Sequence, residues 1–176
     1  MDTQVVELLG RNQLMDELVR AGLEVALPVR DRGVDLIVYS DLASNTGSFV
    51  AVPIQLKASS SAVFTVNRKY ERISNLILAF VWNVRTDDSP VTYGLTYQEA
   101  VSVAQEMGWT ETKSWLEGGL YTTTRPSQRV RELLEPYRMT PDRWWEKLNT
   151  VDPKVGVGTG NPGPTVSAEP EGTHGV

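Results

Sequence analysis

GVDLIVY, residues 33–39, and VPIQLK, residues 52–57, are the two stretches that decide the fold. The first contains Asp35 as the only charge in an apolar run, which is typical of a buried strand. A buried carboxylate is costly unless something pairs with it. In the second stretch apolar residues alternate with others, so that Gln55 and Lys57 share one face of a strand. An acid, an amide and an amine on neighbouring strands can together hold a metal ion and a water molecule.

Length and composition indicate one ordinary globular domain. The chain has 176 residues, of which 40% are hydrophobic, and this is enough for one domain with a substantial core. It has no cysteine, which excludes disulfides, zinc–thiolate sites and thiol nucleophiles. Its one histidine, His174, lies in the Gly/Pro-rich tail, which argues against a histidine-based triad. There is neither a long apolar run nor a secretory signal, and we expect a cytoplasmic protein that does not enter a membrane.

The charge of the chain is not that of a general nucleic-acid binder. The formal net charge is −5, so no strongly basic footprint covers the molecule. A local cluster of Arg68, Lys69 and Arg72 nevertheless follows Lys57 closely. Because such side chains contact the phosphate backbone, this basic cluster is our candidate nucleic-acid-binding segment.

Apolar spacing and turn residues predict an α/β (α+β) protein with an N-terminal helix, a mixed central sheet and flanking C-terminal helices. We expect one domain over residues 1–150, with a core of about 3–108 and a helical part of about 109–150. A disordered Gly/Pro-rich tail is expected over 151–176. The predicted helices cover 3–21, 96–108, 128–136 and 141–148, and the predicted strands cover 23–29, 34–40, 49–58, 62–66, 76–84 and 91–95.

Pro53 is unusual in a strand that should be central in the sheet. Proline has no amide hydrogen to donate to a neighbouring strand. We therefore expect a bulge or a locally unpaired position beside the candidate site.

The first helix, the strand carrying Asp35 and the strand carrying Gln55-Leu56-Lys57 together resemble the PD-(D/E)xK nuclease superfamily, in particular its small resolvase-like and endonuclease-like members. The resemblance covers roughly residues 5–84. It implies a restriction-endonuclease-like core and hydrolysis of phosphodiester bonds in DNA with Mg²⁺ or Mn²⁺. It further implies that Asp35, Gln55 and the Leu56 backbone carbonyl bind the metal and that Lys57 orients or deprotonates the attacking water. Family members often dimerise, so a homodimer is compatible with the resemblance.

Two positions depart from the pattern of the superfamily. Gln55 stands where a Glu is usual, which lowers the ligand charge by one and predicts weaker metal binding. Arg11 stands where resolvase-like members place a Glu on the first helix. Glu7, one turn earlier, is our candidate for the missing acid.

Other interpretations remain open at this point. A catalytically inactive module could keep the fold and bind nucleic acid or a protein partner. Asp35 and Lys57 could form a plain buried ion pair, with Gln55 hydrogen-bonded to a loop. The five tryptophans of the chain could stack on bases or mediate assembly, but tryptophans in a domain of this size more often pack in its interior, and we favour packing.

Overall fold

The computed structural model describes residues 2–30, 32–40, 49, 51–73 and 75–151, with the side chain of Asn149 left out. The connection at 41–48 and the predicted tail from 152 onward lie outside these residues. Val151, placed in the tail by the sequence, is instead the last residue of a helix. None of the described helices is long and apolar enough to cross a membrane.

The described residues form an α/β (α+β) fold that begins with a helix, as predicted. The α-helices are α1 (Thr3–Arg20), α2 (Tyr97–Glu106), α3 (Lys113–Gly118), α4 (Gln128–Leu134) and α5 (Pro141–Val151). The strands are β1 (Leu23–Ala26), β2 (Leu36–Ser40), β3 (Ala51–Ala58), β4 (Phe64–Asn67), β5 (Ile77–Trp82), β6 (Val91–Thr96) and β7 (Leu120–Thr123). Short 3₁₀-helices lie at Arg68–Arg72, Trp109–Glu111 and Glu135–Tyr137.

The main sheet is mixed and has the order β1-β2-β3-β5-β6. Its only parallel pair among the described strands is β3–β5, and the other neighbours are antiparallel. The connection from β3 to the parallel strand β5 carries β4 and the 3₁₀-helix Arg68–Arg72 across one face of the sheet. β4 pairs with β7 in a second, two-stranded sheet.

Two hydrophobic cores lie on opposite faces of the main sheet. The first core packs α1 and α5 against the sheet through residues such as Leu14, Ile54 and Trp144. The second core packs α2, α4 and the small sheet against the other face, with Phe64 and Phe80 fully or almost fully buried. Burial of a large apolar side chain contributes about 1.5–3 kcal/mol, so these two layers hold the sheet in place.

Several helix starts follow from local capping and were predicted correctly. The Thr96 side chain accepts from the Glu99 amide at 3.2 Å, and the Glu99 carboxylate accepts from the Thr96 amide at 2.7 Å, which is a capping box. Ser127 caps α4. The helical interpretation of residues 109–150 was incomplete, because this region also contains β7, whose partner strand β4 is distant in sequence.

The ladder between β2 and β3 is irregular next to Pro53. Leu36 pairs with Ile54, yet the amide of the preceding residue, Asp35, donates to the same Ile54 carbonyl at 2.8 Å. This one-residue offset is what a β-bulge produces. β3 pairs with β5 only from Ile54 onward, so Pro53 lies where the strand has one neighbour, a position at which a sheet tolerates proline.

Candidate metal and catalytic site

A cleft of about 310 Å³ lies where the N-terminal part of α1 meets the ends of β2 and β3. It is lined by the residues that the sequence placed at a catalytic site, namely Glu7, Asp35, Gln55, Leu56 and Lys57, together with Thr3 and Ala58. The fold therefore brings together side chains from three elements that are separate in sequence.

Asp35 is held by one backbone amide and one side chain of β3. Its carboxylate accepts from the Leu56 amide at 2.6 Å and also from the Gln55 side chain. Charge-assisted hydrogen bonds of this kind are stronger than neutral ones and fix the carboxylate in direction. The Asp35 carboxylate thus points toward β3.

The Gln55 amide marks the point where two candidate metal ligands converge. Its side chain is buried, with 7% exposure. Its Nε2 donates to Asp35 Oδ2 and, at 3.4 Å, to the Leu56 carbonyl oxygen. The carboxylate and the carbonyl that the resemblance implies as ligands therefore point at the same small region. In the structure, the electropositive side of an amide occupies that region.

Tyr70 is a member of the site that the sequence analysis missed. Its hydroxyl donates to Gln55 Oε1 at 3.3 Å, and its ring centroid lies 5.7 Å from Lys57 Nζ. Tyr70 is buried at 4% exposure. In the sequence it stands in a polar stretch without an apolar pattern around it, so only the path of the β3–β5 connection reveals the contact.

Lys57 contacts the Tyr70 ring, and the plain ion pair that one interpretation proposed is not found among the described residues. The salt bridges among the described residues include none between Asp35 and Lys57. Lys57 is half-buried and lies near the face of the Tyr70 ring. Gln55 bonds to Asp35 and Tyr70, and Tyr70 belongs to the connection between β3 and β5.

Glu7 reaches the cleft from α1 and is paired within the helix. Its Oε1 accepts from Arg11 at 2.7 Å, one turn further along. Arg11, which occupies the position of the expected acid, therefore neutralises the residue that was named to replace that acid. Gly10 lies between them on the helix, and its lack of a side chain permits α1 to approach Ala58 closely.

The basic cluster borders a separate cleft of about 380 Å³. Arg68 is used within the fold, because its guanidinium donates to the Trp115 carbonyl at 3.3 Å and stacks 5.2 Å from the Trp115 ring centroid. Lys69 and Arg72 are exposed. Glu71 and Glu117 line the same cleft and reduce its positive charge.

The tryptophans pack within the protein, as we favoured. Trp82, Trp109, Trp115 and Trp144 are each at most 8% exposed, and Trp145 packs against the first core. No surface of exposed tryptophans for base stacking or assembly is formed by these side chains.

The donor set of the site is poor in carboxylates. Among the described residues no group of three or more His, Cys, Asp or Glu side chains could hold a metal ion. The candidate ligands are instead one carboxylate, one amide oxygen and one backbone carbonyl. Comparison of the chain with models of known families, with curated proteins and with solved structures finds no match.

Proposed function

We propose that this protein is a Mg²⁺-dependent nuclease that hydrolyses phosphodiester bonds in DNA, with Mn²⁺ able to replace Mg²⁺. The observation that carries the proposal is the convergence of the Asp35 carboxylate and the Leu56 carbonyl on the Gln55 amide. Such convergence of oxygen atoms in a cleft, with an amine beside it, is the arrangement that metal-assisted hydrolysis needs.

The donor atoms fit a hard divalent cation. Asp35, Gln55 Oε1 and the Leu56 carbonyl supply only oxygen, which Mg²⁺ and Mn²⁺ prefer. A single carboxylate leaves the site with one negative charge from its ligands. Binding is therefore expected to be weak and to draw further ligands from water and substrate phosphate, as Mg²⁺ commonly does.

Each residue of the cleft has a role in the proposed reaction. When bound, the cation polarises the phosphate and lowers the pKa of water. Lys57 holds the attacking water and offsets negative charge that develops on the phosphate. Glu7 is the additional acid, held in place by Arg11. Lys69 and Arg72 contact the DNA backbone beyond the scissile bond, and Arg68 supports their segment through Trp115.

The second candidate function is a catalytically inactive module that binds nucleic acid or a protein. Gln55 in place of Glu and Arg11 paired with Glu7 favour it, because both reduce the negative charge available to a cation. Metal-dependent cleavage separates the two functions. We further propose that the protein acts on DNA in the cytoplasm. It could act as a homodimer, and light scattering would measure its oligomeric state.

Cleavage assays test the proposal directly. The full chain is incubated with single-stranded, duplex and branched DNA in Mg²⁺ or Mn²⁺, beside Asp35→Ala and Lys57→Ala, with folding checked by circular dichroism. Cleavage by the wild-type chain alone supports the nuclease. Absence of cleavage on all three substrates, with DNA binding retained and all proteins folded, favours the inactive module.

A further inference from the structure

Tyr70, in the connection between β3 and β5, contacts both Gln55 and Lys57 of the candidate site. Its hydroxyl donates to Gln55 Oε1 at 3.3 Å, and its ring lies 5.7 Å from Lys57 Nζ. Lys69 Nζ lies 4.8 Å from the same ring centroid. One buried side chain thus contacts the candidate ligand, the candidate catalytic amine and a residue of the basic cluster.

The orientation of the Gln55 amide decides whether it can act as a ligand. At present Nε2 faces Asp35 and the Leu56 carbonyl, and Oε1 faces Tyr70. A cation held by those two oxygens would meet Oε1 only after the amide turns over. The last torsion of glutamine is broad and two-fold, so both orientations occupy nearly the same space.

A hydroxyl group can serve both orientations because it can donate or accept a hydrogen bond. Resting on the proposed function, we propose that Tyr70 is a positioning residue for the metal ligand Gln55. In the cation-free protein Tyr70 donates to Oε1, and in the loaded protein it accepts from Nε2. Phenylalanine can do neither.

Loss of the hydroxyl affects the loaded protein more than the cation-free protein. Without the cation, Oε1 loses the bond from Tyr70, but Nε2 keeps its bonds to Asp35 and to the Leu56 carbonyl. In the loaded protein those two oxygens bind the cation, so Tyr70 is the partner that remains for Nε2. Nε2 carries two hydrogens, and an unpaired buried N–H is tolerated less well than an under-satisfied carbonyl oxygen, so Tyr70→Phe weakens cation binding.

Mn²⁺ titration followed by electron paramagnetic resonance measures this effect without relying on cleavage. The full chain is compared with Tyr70→Phe and with Tyr93→Phe as a matched control. Tyr93 is similarly buried at 6% exposure, belongs to the same core and packs against the Trp82 ring at a tilt, whereas the contacts with Gln55 and Lys57 are made by Tyr70. We expect Mn²⁺ to bind about tenfold more weakly to Tyr70→Phe, as for other partners of metal ligands, and normally to Tyr93→Phe.

The same substitution in a Gln55→Glu background separates positioning from general loss of structure. A carboxylate has two equivalent oxygens and needs no reorientation, so Tyr70→Phe should there change Mn²⁺ affinity by less than about twofold. An equal loss in both backgrounds, or no loss in either, overturns the inference alone. Absence of binding that depends on Asp35, checked with Asp35→Asn, overturns the inference and the proposed function together.

Discussion

Gly10 of α1 and Ala58 of β3 are in direct contact, and a methyl group added at Gly10 would overlap the Cβ of Ala58. The contact fixes the distance between helix and strand next to the cleft. It therefore places Glu7, one turn before Gly10, beside Lys57, the residue before Ala58.

Gly10→Ala should destabilise the protein by up to about 2 kcal/mol. Overpacking of this kind costs about 1–3 kcal/mol, and the better helix former offsets about 1 kcal/mol of that cost. Ala58→Gly removes the overlapping Cβ, and the remaining neighbours, Ala58 Cα and a Val84 methyl, lie 3.5 Å from the added atom. The double variant should thus return to within about 1 kcal/mol of wild type in urea unfolding. Additive losses would show that the helix is not seated on Ala58.

Gln55→Glu should tighten Mn²⁺ binding by about tenfold, which is on the order of 1.4 kcal/mol, because it adds a negative ligand. Without metal, the same change places a second carboxylate beside Asp35 and should lower the melting temperature. Thermal unfolding with and without Mn²⁺ measures both effects. A variant that is destabilised and gains no affinity would contradict the placement of the site.

Lys57→Met should abolish most cleavage and leave Mn²⁺ binding nearly intact. Methionine keeps an unbranched apolar stem over the Tyr70 ring, so the fold loses only the charge and its contact with the ring. We expect a loss of at least about 100-fold in the cleavage rate, the range for a positioned proton-transfer group. Full activity of the folded variant would remove Lys57 from the mechanism.

Arg68→Ala should lower the stability of the protein, whereas Arg72→Ala should weaken DNA binding and leave stability unchanged. Arg68 stacks on Trp115 and donates to its carbonyl, so its loss should cost about 1–2 kcal/mol of stability. Arg72 forms no hydrogen bond or ion pair with the described residues, so its loss should leave stability unchanged. It should weaken DNA binding and reduce the slope of log affinity against log salt by about one. Arg129→Ala, an exposed arginine on α4, is the charge-matched control, and an equal effect on DNA binding would rule out a specific contact at Arg72.

The strands and faces that carry the candidate site residues were predictable because they depend on short-range patterns. The alternation around Gln55 and Lys57 sets which face each occupies, and the apolar run around Asp35 indicates a strand beside it. Thr96 and Glu99 specify a helix start through bonds between residues three apart. These features can be predicted from neighbouring residues, without knowing how the rest of the chain folds.

Tyr70 and β7 were not predictable for the opposite reason. Tyr70 reaches Gln55 only because the β3–β5 connection crosses that face of the sheet. The short strand β7 pairs with β4 through contacts such as Thr65 with Thr122. A pattern of neighbouring residues does not predict this pairing, because the two strands are far apart in the sequence. The orientation of the Gln55 amide likewise depends on Asp35 and Tyr70 together.

A crystal of the full chain soaked in MnCl₂ tests the central claim most directly. The claim predicts an anomalous peak about 2.1 Å from Asp35, from Gln55 Oε1 and from the Leu56 carbonyl, the distance for a small hard cation. Gln55 should then present its oxygen to the peak and its nitrogen to Tyr70. A Mn²⁺-saturated crystal with no peak in the cleft, and with Gln55 Nε2 still bonded to Asp35, would contradict the claim.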